Sequence, residues 1–137
     1  MNERSKVIGL MARREASNLA KAQRAFSTLN NEIRAAEALE QRLGFLLSQK
    51  SSESLASTSA AQLRERRMLT DKLASEGERL RQKVQHLKSE SSSAGSQLAQ
   101  LEHRKRSYDT AAQEALRIEQ SERDVRADAA TPSRQRR

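Results

Sequence analysis

The sequence predicts an all-α protein: two long helices forming an antiparallel coiled-coil hairpin with a longer second helix. Three observations predict it. The composition is that of long helices, rich in Ala, Leu, Glu, Lys, Arg, Gln and Ser, with 4 Gly and 1 Pro in 137 residues. Apolar residues recur in two runs at alternating steps of three and four, the spacing of a coiled-coil seam. A break rich in Ser and Thr separates the runs.

The first run predicts a helix over about residues 4–50. Leu19, Ala22, Phe26, Leu29, Ile33 and Ala36 alternate the two steps, and Leu39, Leu43 and Leu46 extend them. The step from Ala36 to Leu39 repeats a three, which predicts a local stammer. Upstream, Ile8, Met11 or Ala12, and Glu15 prolong the seam weakly.

The break spans Ser51 to Ser59, where six of nine residues are Ser or Thr. Such side chains bond to nearby backbone and favour turns and caps. Ser59 followed by Gln62 fits a capping box and sets the next helix start near Ala60.

The second run predicts a helix over about residues 60–125. Its d-like positions are Leu73, Leu80, Leu87, Ala94, Leu101, Tyr108 and Ala115; its a-like positions are Gly77, Val84, Ser91, Leu98, Lys105 and Ala112. Sustained heptads of this length argue for a coiled coil. Half the a-like set is Gly, Ser or Lys, so the seam is weak, and Ser89 to Ser93 is its softest stretch. Residues 1–126 thus form the hairpin, and residues 127–137, which lack periodicity, read as a disordered basic tail.

A hairpin centred in the break pairs positions whose numbers sum to roughly 108. Leu19 then lies near Ser89, Leu29 near Arg79 and Ile8 near Gln100. Beyond about Arg104 the second helix has no partner, an overhang of roughly 20 residues or about 30 Å.

Other classes are excluded by composition. Phe26, Phe45 and Tyr108 are the only aromatics and cannot centre a globular core. The absence of Cys removes disulfides, thiolate metal sites and Cys nucleophiles. No apolar run is long enough to span a membrane, and the first residues lack the apolar core of a secretory signal. His86 and His103 are far apart and share no metal-ligand spacing. No glycine-rich phosphate loop or nucleophile elbow is present. The sequence therefore predicts no enzyme, no cofactor, no metal and no small-molecule substrate.

The net charge is +8 and the pI about 10.6. Basic clusters stand at Arg64, Arg66 and Arg67, at His103 to Arg106, and at Arg134, Arg136 and Arg137. Acidic residues are interspersed, and no aromatics alternate with the cations for base stacking. Solvated helix faces, then an acidic protein partner, suit this pattern better than nucleic acid. Two alternatives stay open: a nucleic-acid-associated basic coiled coil, whose binding would fall steeply with salt, and a homo-oligomeric structural coiled coil.

Two places carry more apolar residues than a narrow seam can bury. Phe45, Leu46 and Leu47 are consecutive and spread over about 200° of the helix. Leu63, Met68 and Leu69 crowd the far side of the break, and the pairing rule sets Leu63 beside Phe45 and Leu69 beside Leu39. This is either a wider hairpin core or a docking patch for another protein. The overhang carries Tyr108, Ala111, Ala112, Ala115, Leu116, Ile118 and Val125 as an uncovered stripe, with Arg117, Arg123 and Arg126 placed to meet acidic residues of a partner.

Over residues 5–125 this layout resembles the flagellar export protein FliJ and the related YscO-like stalk proteins of type III secretion. The resemblance lies in length, hairpin layout, basic composition, the longer second helix, and the first-helix text AAEALEQRL from Ala35 to Leu43. It implies a non-enzymatic cytoplasmic component of the export apparatus, held peripherally at the inner face of the cell membrane through partners. The family resembles the coiled-coil part of a rotary ATPase gamma subunit. Its partners are the export ATPase, the membrane export gate and export chaperones.

Overall fold

The computed structural model describes residues 2–52 and 59–131. Two helices make up the fold, α1 (Glu3–Ser52) and the longer α2 (Ala60–Ala130), and they pack against each other as an antiparallel hairpin. Both run a little past their expected ends. Residues 127–130 are helical rather than part of the tail, and the rest of the expected tail, 132–137, lies outside the described residues. Of the expected turn, Ser51 and Ser52 belong to α1, and 53–58 lie outside the described residues.

The helix ends follow from local chemistry. Asn2 caps α1: its Oδ1 accepts the Ser5 amide at 2.8 Å, and its carbonyl accepts the Lys6 amide at 3.2 Å. At the other end, the hydroxyls of Ser51 and Ser52 donate back to the carbonyls of Leu47 and Gln49, local bonds that compete with the helix ladder. The expected capping box opens α2. Ser59 Oγ accepts the Gln62 amide at 3.2 Å, and Gln62 Oε1 accepts the Ser59 amide at 3.1 Å. The last turn of α2 tightens as the Thr131 amide bonds to Asp128 O. Pro132 follows, and the residue before a proline is pushed out of the helical region.

The chain forms two compact units, Ala25–Gly95 and Met1–Arg24 with Ser96–Arg137. In the first, Ile33, Ala36, Val84 and Leu87 make a small apolar cluster, joined by Leu29. Around it Asn30 Oδ1 accepts the Ser91 hydroxyl at 2.9 Å, and Glu37 pairs with Lys88 at 3.1 Å. Arg81 lies 3.7 Å from Glu40. The Phe26 ring lies beside Gly95, where a Cβ would meet it at 3.6 Å, an ordinary contact distance. In the second unit Leu19 is buried, and Ser5 and Asn2 meet Glu119.

These pairs fix the register, and it is not the expected one. Facing residue numbers add to about 121 to 125, as in Asn30 with Ser91 and Glu37 with Lys88, rather than to 108. By that sum Leu29 faces about residues 92–96 and not Arg79, and Ile8 and Leu19 are likewise displaced from Gln100 and Ser89. The sum rule assumed helices level at the turn. Packing decides instead: this register sets Gly95 under the Phe26 ring and the polar Ser91 against Asn30. A buried polar group is tolerated only when bonded.

The α2 seam follows the sequence closely. All thirteen a- and d-like positions from Leu73 to Ala115 are buried or half-buried. The α1 seam departs after Ala36. It continues through Glu40, Leu43, Leu47 and Lys50 with steps of four and three, so no stammer occurs, and Leu39 and Leu46 lie on a flank, 47% and 44% exposed. Upstream, Ala12 takes the seam position and Met11 is exposed. Glu15 is half-buried, with one carboxylate oxygen enclosed and without a hydrogen-bond partner.

Candidate docking surfaces

Near the turn, the expected patch divides. Leu47 joins the seam and lines a groove of about 310 Å³ with Leu43, Gly44, Leu73 and Gly77. Phe45 points to solvent at 63% exposure. Leu46 is exposed with Leu39, seven residues away on the same stripe. The shifted register separates the other two. Leu63 faces beyond the end of α1 instead of Phe45, and Leu69 faces the end of α1 instead of Leu39. Both stay exposed, as does Met68. The first turns of α2 therefore run past the last residues of α1.

At the opposite end the expected overhang is mostly covered. Tyr108, Ala112 and Ala115 are half-buried against α1, and Glu119 is buried. Among the described residues, the part of α2 that α1 leaves exposed starts after Glu119 and runs to Ala130, about 16 Å at the helical rise. Val125 stands exposed on it. Leu116 and Ile118 sit on either flank of the seam, partly exposed. Two of the three arginines named for partner contact are engaged within α2. Arg117 pairs with Glu114 at 2.7 Å and Arg123 with Glu119 at 3.0 Å. The Arg117 bond holds the Glu114 carboxyl below its usual range and raises the guanidinium in turn. Exposed pairs of this kind add little stability.

Glu119 is the one carboxylate shared between the helices here. Its Oε2 accepts the Ser5 hydroxyl at 2.8 Å, and its Oε1 accepts the Asn2 amide at 3.1 Å. The Ser5 hydroxyl foremost, against the opposing pull of burial, and the charge of Arg123 in addition, hold its pKa below the ordinary value. A carboxyl depressed by folding contributes stability above its unfolded pKa, and that contribution is lost as pH falls through the folded value. Exchange of the Ser5 and Lys6 amides should therefore accelerate as pH is lowered through and below the usual carboxylate range, beyond the intrinsic trend. The same acceleration in Glu119→Gln would remove Glu119 as the cause.

Sequence reasoning missed Val7 and Leu10, which are exposed at the start of α1 with Met11. The signal was present. From Val7 to Ala12 no residue is charged, so apolar side chains surround the helix, and a narrow seam covers only one stripe of them. Among the described residues no group of three or more His, Asp or Glu side chains is placed to hold a metal ion, and no helix is long and apolar enough to cross a membrane. No family model matches the sequence, and no curated protein and no solved structure is significantly similar to it.

Proposed function

We propose that the protein is a non-enzymatic coiled-coil adaptor, or stalk, of a flagellar-type (type III) protein export apparatus. It docks on the export ATPase and the export gate and assists export chaperones. It works in the cytoplasm, peripheral to the inner face of the membrane through its partners. The observation that carries this reading is that α2 outruns α1 at both ends of the hairpin and bears exposed apolar residues there: Leu63 and Met68 near the turn, Val125 at the other end. Two separate sets of exposed apolar residues, one in each unit, suit a part that meets two larger bodies. The resemblance in layout and in the AAEALEQRL text of α1 adds the identity of those bodies. The basic character suits protein contact better than phosphate. Lys105, Arg117 and Arg123 already hold carboxylates of their own helix, at 2.8, 2.7 and 3.0 Å.

The test is co-purification with the export ATPase of the same organism. Ending the chain after Gln120 leaves the Glu119 contacts with Ser5 and Asn2 in place and should abolish capture of the ATPase. Val125→Asp in the full chain should weaken it strongly while helicity stays unchanged. Undiminished capture by both variants would refute docking through this end.

A further inference from the structure

The start of α1 and the facing stretch of α2 enclose a groove of about 330 Å³. Gly9 and Ala112 line it, and a Cβ built on Gly9 meets nothing within 4 Å, so the space above that backbone is open. Its walls are Leu10 of α1 and Leu116 of α2, both exposed. Lys6 and Arg13 lie along one rim, seven residues apart and so on one helix face. Neither has an ion-pair partner among the described residues. The acids nearest in sequence on α2 are engaged: Glu114 with Arg117, Asp109 with Lys105, and Glu119 with Ser5 and Arg123. The result is an apolar slot with an uncompensated positive edge.

We propose that this groove binds an acidic amphipathic helix of another protein. The helix seats an apolar side chain over Gly9, between Leu10 and Leu116, and sets carboxylates against Lys6 and Arg13. Helix-in-groove recognition needs apolar anchors on one stripe, and flanking charges of opposite sign select and steer the partner. A second copy of this chain fits poorly, because a two-fold interface would bring the same cationic rim onto itself. A bilayer surface fits poorly too, because it leaves the hollow over Gly9 unfilled. The inference rests on the groove's own chemistry and stands apart from the export reading.

The experiment is an amide-shift titration of the full chain with three probes. The probes are a synthetic helical peptide with leucines at helical spacing flanked by glutamates, the matched peptide with lysines in their place, and vesicles of phosphatidylcholine with phosphatidylglycerol. The acidic peptide should move the Gly9, Leu10 and Leu116 amides, and the basic peptide should not. Gly9→Leu, which fills the slot, should abolish the response. Reversing both rim charges, Lys6→Glu with Arg13→Glu, should weaken the acidic peptide by about tenfold or more and turn the preference to the basic one. If Gly9→Leu disturbs the fold, the charge-reversed pair still decides. Equal response to both peptides, no response, shifts confined to other residues, a response to vesicles alone, or concentration-dependent self-association through Gly9 would each overturn the proposal.

Discussion

Leu87→Ala should destabilise the hairpin by about 2–4 kcal/mol, the usual cost of removing a well-packed leucine from a core. Leu87 and Val84 are 7% and 5% exposed, and with Ile33 and Ala36 they make up the apolar cluster of the Ala25–Gly95 unit. So small a cluster has few neighbours to close the void. Leu80→Ala, at a half-buried seam position, should cost less. Phe45→Ala, on the solvent side, should shift stability by no more than about 0.5 kcal/mol. Denaturant titration followed by circular dichroism measures all three. Equal midpoints for Leu87→Ala and Phe45→Ala would show that the cluster does not hold the helices together.

Ending the chain after Arg106 should unravel the beginning of α1. In the observed register the removed part of α2 carries Tyr108, Ala112, Ala115 and Glu119, the seam residues that cover the first turns of α1. An isolated helical segment of that length is marginal in water, because packing supplies most of its stability. Helicity should fall by more than the deleted residues account for, and amide protection should vanish over about the first four turns of α1. Under the level-helix register the same deletion would remove only an overhang and leave α1 protected, so hydrogen exchange separates the two registers directly.

The contrast between those registers marks what the sequence could convey. Helix identity, the start of α2 and the α2 seam were legible because they are local: seven-residue spacing from Leu73 to Ala115 and a Ser59–Gln62 cap. Register is not local. It depends on which side chains accommodate one another across the pair, and a seam with Gly77, Ser91 and Lys105 at a-like positions marks its partner faintly. The fit of Phe26 over Gly95 and the bond between Asn30 and Ser91 decide it. The α1 misreading had the same source. Leu39 and Leu46 outrank Glu40 in hydrophobicity, yet the four-residue step from Ala36 keeps the stripe straight, and Glu40 takes the inward place beside Arg81. The docking residues inherited these errors. Tyr108 was assigned to an overhang that α1 in fact covers, Leu63 was paired with Phe45 in a register that the helices do not adopt, and Leu10 was passed over because it lies off the seam.

The bonds at Asn2 join two events that are separate in most helix pairs. The side chain of Asn2 caps α1, and its own amide is held by Glu119 of α2, which also holds the Ser5 hydroxyl one turn on. Parting α1 from α2 here breaks both Glu119 bonds and leaves the first turn of α1 held only by its own cap, so loss of the contact with α2 favours fraying of that turn. Fraying of the first turn and its separation from α2 are thereby coupled through one carboxylate. Any factor that prises the strands apart here works against both costs together, and any factor that grips the closed pair stabilises both. Under load, the Glu119 bonds are thus the point at which helix fraying and helix separation meet.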